Sequence, residues 1–253
     1  MQVWKALPGW MNRRLSLNGR SIGFVPTMGA LHRGHASLVE RCRMENDIAV
    51  VSIFVNPSQF NDPGDLDRYP RTLECDLVLL EKLGVDDVIV PDTSELYPDG
   101  YRFRMECDPR YQVMEGVHRP GFLQGVMTVV LKLLNIVRAD RAYFGEKDYQ
   151  QLTVIREMVR DFFIPTEIVA CPTVRAVSGL AESSRNALLP SDSLAKAALL
   201  FQALGAAGPA AARAALEANG FAVDYVEDHW GRRFAAVFLA GVRLIDNVPV
   251  PGN

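Results

Sequence analysis

The chain has no uninterrupted apolar run approaching the roughly 20 residues that a membrane-crossing helix needs. Its opening, MQVWKALPGW, lacks an apolar core of signal-peptide length. Charge of neither sign dominates: 27 Lys and Arg face 30 Asp and Glu, for a formal net charge of -3. Nothing in that balance supports a nucleic-acid partner. The 4 cysteines, Cys42, Cys75, Cys107 and Cys171, fall outside metal-ligand or redox-pair spacing of one another. Reduced thiols in a cytoplasmic protein, with no membrane and no nucleic acid as partner, are the expectation. A Walker-type G-x-x-x-x-G-K-[ST] sequence is absent, which excludes a P-loop enzyme. So is a Gly-elbow serine with triad partners, which removes the commonest route to covalent catalysis.

What is present is core material. Hydrophobic residues make up 49% of 253, enough for one large domain or two unequal ones. Short apolar runs alternate with helical periodicity. The segments 21–26, 48–55, 85–90, 141–145 and 167–171 read as strands, and 36–46, 73–83, 126–137 and 152–163 as helices. The run IAVVSIFV at 48–55 is almost continuously apolar, as a strand covered on both faces should be. This alternation predicts an α/β fold, a parallel sheet with helices on both faces. Ligands of such sheets bind beyond the carboxyl ends of the strands. Composition shifts after about Pro190 to an alanine-rich stretch, read as two helices broken at Gly208-Pro209, and then three β-like runs. A small C-terminal α+β domain is expected there, with domains at 1–175 and 176–253.

Polar clusters follow several of the expected strands. In PTMGALHRGH a strand ends at Pro26, a turn with Gly29 follows, and a helix begins near Gly34. Unpaired N–H groups at a helix start suit a phosphate. His32 and His35, three apart, can face one side and donate to phosphate oxygens, or can merely cap and pack locally. In FVNPSQF, Asn56 and Gln59 either orient a small hydroxy-acid through their amides or form an ordinary Asn-Pro turn. In FGEKDYQQ, Lys147 can pair with phosphate, Asp148 can accept from a ribose hydroxyl or help hold a metal, and Gln151 can reach the substrate of Gln59. A solvated charged turn is the plainer reading. Ser183, Ser184 and Arg185 suit phosphate oxygens, or form a Ser-rich linker. Arg119 in HRPGF is a further cation, in what is also simply a turn. Without a nucleophile–base pair, the set suits positioning and charge stabilisation, as nucleotidyl transfer requires.

Together PTMGALHRGH, FVNPSQF, FGEKDYQQL and SSRN, extended by YPRTLE, RPG, QGV, TVV and RLIDN, closely resemble the pantothenate synthetase (pantoate–β-alanine ligase) family across essentially the whole chain. That family lies within the HxGH nucleotidylyltransferases. The resemblance implies a Rossmann-like N-terminal domain with a smaller C-terminal lid. It implies ATP and Mg²⁺ as cofactors, pantoate and β-alanine as substrates, and a homodimer. The reaction implied is ATP-dependent condensation through a pantoyl-adenylate, giving pantothenate, AMP and pyrophosphate. Carried over by position, Met28, Gly29, Ala30, Leu31, His32, Arg33, Gly34 and His35 would bind ATP, with His35 as proton donor. Gly145, Glu146, Lys147 and Asp148 would contact the nucleotide and Val174 would lie by the adenine. Glu182 would offer backbone contact, and Ser183, Ser184 and Arg185 would hold the triphosphate. Gln59 and Gln151 would hold pantoate, with Asn56 and Arg119 beside them. His32, His35, Lys147 and Arg185 form the expected catalytic set, and the metal ligands stay open.

Three departures stand out. Phe122 occupies the place of a histidine in RPGHF, Glu182 and Ser178 replace apolar and acidic residues, and the C-terminal region looks short. The alternatives are another nucleotidylyltransferase, which would want cations where the two glutamines stand, or a catalytically silent nucleotide-binding homologue.

Overall fold

Six parallel strands build one sheet in the computed structural model, which describes residues 1–250. They are β1 (Gln2–Trp4), β2 (Ile22–Thr27), β3 (Ile48–Ile53), β4 (Asp87–Ile89), β5 (Arg141–Gly145) and β6 (Glu167–Cys171), in the order β1-β4-β3-β2-β5-β6. All six residues of β3 are buried, the pattern of a central strand covered on both faces. With the edge strand β1 set aside, the order is that of a Rossmann-like sheet, reversing direction between β2 and β5. The carboxyl ends at that reversal are Thr27 and Gly145.

The sheet belongs to one compact unit, Met1–Gly145 with Gln150–Cys171; the other is Glu146–Tyr149 with the chain from Pro172 onward. The sequence expectation instead divided the chain once, between 175 and 176. In the first unit Val25, Val39, Val51, Leu80 and Tyr143 pack into the core around the sheet. Helix Arg33–Glu45 contributes Leu38, Val39 and Cys42 to it. Burial pushes the Cys42 thiol up to about 12, so it behaves as a small inert hydrophobe. Helix Phe122–Val137 begins four residues before its expected start, with Gly121 in the left-handed region at φ 83°. Strand β1 and helix Leu7–Leu15 had no counterpart in the sequence reading. Pro8 and Gly9 look like breakers, but Pro is compatible with the first helical turn. Trp10 is fully buried and its Nε1–H donates to Ile136 O at 2.9 Å.

The second unit holds helices Ser191–Ala197, Leu199–Leu204 and Pro209–Ala218, three where two were expected. An antiparallel sheet follows, β7 (Ala222–His229), β8 (Arg232–Leu239) and β9 (Val242–Pro249), in that order. Its own core includes Leu200, Leu204, Leu216, Ala235 and Val237. Among the described residues no helix is long and apolar enough to cross a membrane.

Candidate active site

The corner after β2 is built from inside. Gly29 (φ 78°) and Ala30 (φ 50°) both take left-handed backbone, which glycine adopts freely and alanine at a cost. A Cβ on Gly29 would stand 3.0 Å from Asp76 Oδ2 and 3.1 Å from Ile53 Cγ2. The buried Asp76 carboxylate, from helix Leu73–Lys82, accepts from Ala30 N and Leu31 N at 2.9 Å each and from Thr72 Oγ1 at 3.2 Å. Gly29 N donates to Thr27 Oγ1 at 3.2 Å. His32 is the N-cap of helix Arg33–Glu45, its Nδ1 accepting from Gly34 N at 3.1 Å. The amides of Gly29, Ala30, Leu31 and Gly34 are therefore committed within the corner. What the corner presents instead is its imidazoles. A ring nitrogen that accepts an N–H bond carries no proton, so a neutral His32 bears its proton on Nε2. The rings of His32 and His35 are 4.1 Å apart between centroids. Met28, Ala30, Leu31, His32, Gly34 and His35 are half-buried and Arg33 is exposed.

After β3, a short 3-10 turn at Pro57–Gln59 carries the expected amides. Asn56 is 1% exposed and its side chain is fully engaged. Its Nδ2 donates to Gln59 Oε1 at 2.9 Å and Gly125 O at 3.2 Å. Its Oδ1 accepts from Tyr97 OH at 2.7 Å, Ser58 Oγ at 3.0 Å and Ser58 N at 3.4 Å. A backbone N–H fixes one end of this amide and a backbone carbonyl fixes the other. Gln59 must then turn its oxygen toward Asn56 and its NH₂ away, as a donor. Burial pushes the Tyr97 hydroxyl up to about 12, so it stays protonated and can donate. Asn56 thereby fixes the Gln59 side chain. Arg119 is similarly occupied: it pairs with Glu115 at 3.3 Å, donates to Gln59 O at 3.2 Å, and lies 3.8 Å over the ring of Phe122. The Phe122 ring thus carries the guanidinium on its face. Gly125 admits the close approach of helix and turn, since a Cβ there would fall 2.3 Å from Ser58 O. Gln151 is half-buried on helix Tyr149–Asp161, and no bond joins it to Gln59 among the described residues. Its neighbour Gln150 is buried and fastens the 111–115 segment, accepting from Glu115 N and donating to the carbonyls of Tyr111 and Val113. Gly145 at the end of β5 has open space where a Cβ would stand.

In the second unit Lys147 and Ser183 line one small cavity, with Asn186, Leu180, Leu200 and Asp246. Lys147 Nζ lies 3.8 Å from Asp148 Oδ1. Glu146 pairs with Arg232 at 3.3 Å. Val174 O accepts from Glu182 N at 2.9 Å, so the backbone of Glu182 is tied to Val174 and its side chain is half-buried. Ser183 caps the short turn Ser184–Leu188, its Oγ accepting from Arg185 N at 3.3 Å. Ser184 and Arg185 are half-buried beside it. The sequence reading had missed Asp76, Tyr97, Gly125, Gln150 and Asn247. Of these, Asp76 and Asn247 adjoin or lie in the YPRTLE and RLIDN segments, which signalled similarity without a role.

The sequence profile described as pantoate-beta-alanine ligase matches residues 2–249. A pantothenate synthetase of Bdellovibrio bacteriovorus is 51% identical over 231 residues, 91% of this chain and 92% of that one. One from Legionella pneumophila (strain Lens) is 49% identical over 98% of this chain and 99% of its own. The short C-terminal region is therefore no departure from the Legionella relative. The crystal structure of a pantoate-beta-alanine ligase from Francisella tularensis, complexed with beta-gamma ATP and beta-alanine, superposes with a TM-score of 0.94 at 41% identity, covering 98% of this chain and 97% of that one. A pantothenate synthetase from Thermus thermophilus gives 0.91 at 43% identity, with 98% and 99% covered. With the fold, the paired imidazoles and these similarities in agreement, the chain belongs to the pantoate-beta-alanine ligase family of C–N bond-forming enzymes.

Proposed function

We propose that the protein condenses pantoate with β-alanine at the expense of ATP. A carboxylate oxygen of pantoate attacks the α-phosphorus of ATP. The bond to the bridging oxygen breaks and pyrophosphate leaves, giving pantoyl-adenylate. The amine of β-alanine then attacks the acyl carbon, loses a proton, and AMP departs. The observation that carries this reading is the His32–His35 pair at the carboxyl end of β2, with ring centroids 4.1 Å apart. Donors placed where charge grows on a leaving phosphate lower the barrier directly.

Residue roles follow unit by unit. In the first, His32 donates through Nε2 to the phosphates and His35 acts as the proton donor, with Met28–Gly34 and Gly145 along the nucleotide. Gln59 presents its NH₂ to pantoate with Gln151, while Asn56 and Arg119 hold the Gln59 turn in place. In the second, Lys147, Ser183, Ser184 and Arg185 bind polyphosphate, and Glu146, Asp148, Val174 and Glu182 line the nucleotide. Among the described residues no three His, Cys, Asp or Glu side chains gather as a metal cage. Mg²⁺ is commonly held by substrate phosphates and one or two carboxylates. Asp148, beside Lys147, is the carboxylate that would hold it, and the ion would offset phosphate charge. The reading takes the enzyme as a cytoplasmic homodimer, which light scattering checks.

Isotope exchange between pyrophosphate and ATP tests the reaction. Exchange that needs pantoate but not β-alanine is expected. Exchange independent of pantoate, or none at all, refutes an adenylate on this acid.

A further inference from the structure

In the second unit, one side chain bonds two successive carbonyls of the turn that carries Lys147. The carbonyl oxygens of Glu146 and Lys147 both accept from Asn247 Nδ2, at 2.9 and 2.8 Å. Asn247 lies on β9 and is 1% exposed. Its amide can point only one way, because carbonyls accept and cannot donate. The opposite end, Oδ1, accepts from Arg232 Nε. The backbone of Asn247 is held as firmly. Its N–H donates to Asp246 Oδ1 at 2.8 Å. Asp246 is gripped at both oxygens by Arg175, at 2.6 and 2.9 Å, and Arg175 also donates to Asn247 O at 3.2 Å. The Arg175 guanidinium rests 4.1 Å over the ring of Phe201. Gly179, at φ 92°, leaves room for that ring, since a Cβ there would stand 2.7 Å from Phe201 Cδ1.

We infer that Asn247 is a positioning residue for Lys147, setting where its ammonium meets the phosphates. This rests on the phosphate role proposed for Lys147. The backbone that bears a lysine sets the origin from which its four-carbon stem reaches, and Asn247 fixes that origin for Lys147. A displacement of about 1 Å in such a group can lower a rate about a hundredfold. Asn247 supplies two donors to the Lys147 turn and one acceptor to Arg232 from a short, rigid side chain. Aspartate has the same shape but would set an oxygen against two carbonyl oxygens. Arg175 adds a second service. Asp246 lines the cavity with Lys147 and Ser183. Its charge, left unbalanced, would repel a polyphosphate held by Lys147.

The test is a double-mutant cycle on the whole enzyme, following pantoate-dependent pyrophosphate–ATP exchange together with melting temperature. Asn247→Ala is expected to lower kcat about tenfold to a hundredfold, and Asn247→Asp at least as far. In a Lys147→Ala background the same Asn247→Ala change should cost less than about twofold, because its effect runs through the missing ammonium. A merely structural role lowers the melting temperature and multiplies the two losses. Multiplied losses, or an unchanged kcat for Asn247→Ala, overturn the inference. If Lys147→Ala itself keeps full exchange, the phosphate role of Lys147 falls and this inference with it. If Lys147→Ala loses exchange and Asn247→Ala does not, only the inference falls. Should Asn247→Ala fail to fold, Asn247→Ser, too short to span both carbonyls, is read by the same criteria.

Discussion

Replacing Asp76 by asparagine removes one acceptor from the corner that carries His32. The carboxylate now receives two backbone N–H groups at 2.9 Å and the Thr72 hydroxyl at 3.2 Å, at a residue 3% exposed. Asparagine keeps one oxygen for one amide and turns an NH₂ toward the other. A hydrogen bond to a charged group contributes about 1.5–3 kcal/mol, and an unsatisfied buried donor costs about 1–3 kcal/mol. The left-handed Ala30, at φ 50°, adds about 1–2 kcal/mol of strain that Asp76 now holds in place. Part of that strain relaxes once the grip loosens, so the expected loss is about 2–4 kcal/mol. For a chain of this size that is a fall in melting temperature on the order of 5–10 °C. The corner should also drift, and exchange turnover measured well below the melting point should drop about tenfold or more. Coulomb's law alone predicts the reverse for ATP, since a negative charge near phosphate is gone. The two effects separate in the kinetics: kcat falls with the geometry, while the KM for ATP holds or improves. A variant that melts within about 1 °C of the parent and turns over at the parental rate would refute the role given to Asp76.

His35→Ala should lower adenylate formation by at least about tenfold, and exchange at the parental rate would remove it from the mechanism. Gln59→Ala should raise the KM for pantoate by about tenfold, one lost contact of about 1.4 kcal/mol, with ATP affinity unchanged in titration; a fall in ATP affinity instead would move the pantoate pocket elsewhere. Gly125→Ala puts a methyl 2.3 Å from Ser58 O, which should cost about 1–3 kcal/mol of stability and weaken pantoate as well, a pairing that calorimetry and kinetics together check. Tyr97 and Tyr111 are each pushed up to about 12, chiefly by burial. The fold keeps their protons where an unfolded tyrosine, near about 10, gives them up. Stability is therefore intact below about pH 10 and falls as pH climbs from there toward about 12. Circular dichroism against tyrosinate absorbance follows this, and flat stability across that window contradicts it.

The parallel sheet was legible because buried strands announce themselves. The run from Ile48 to Ile53 is apolar at five of its six positions, and every one is buried. Several of the strands then end in a polar turn. The edge escaped notice for the opposite reason. Strand β1 has only three residues, and the helix after it begins with Leu7-Pro8-Gly9, which local propensity counts against any helix. Tertiary burial of Trp10 outweighs that local cost. The alanine stretch hid the break at Ala198 because alanine carries no punctuation.

Within the candidate site, sequence reading found the residues whose polar atoms were expected to meet ligand and missed those whose atoms are spent on the protein. His32, Gln59 and Lys147 each stand in a short motif that follows a strand. Their supports come from elsewhere in the chain. Asp76 reaches the Ala30–Leu31 amides across 46 and 45 positions, and Asn247 reaches the Glu146 and Lys147 carbonyls across 101 and 100. No local period or spacing encodes such a bond, since only the folded topology brings the partners together. Asn56 illustrates the difference. It lies in the motif, yet its amide is saturated by Gln59, Gly125, Ser58 and Tyr97. Position in a motif reveals nearness to the chemistry, and only the hydrogen-bond inventory separates a group that meets the ligand from one that aims its neighbour.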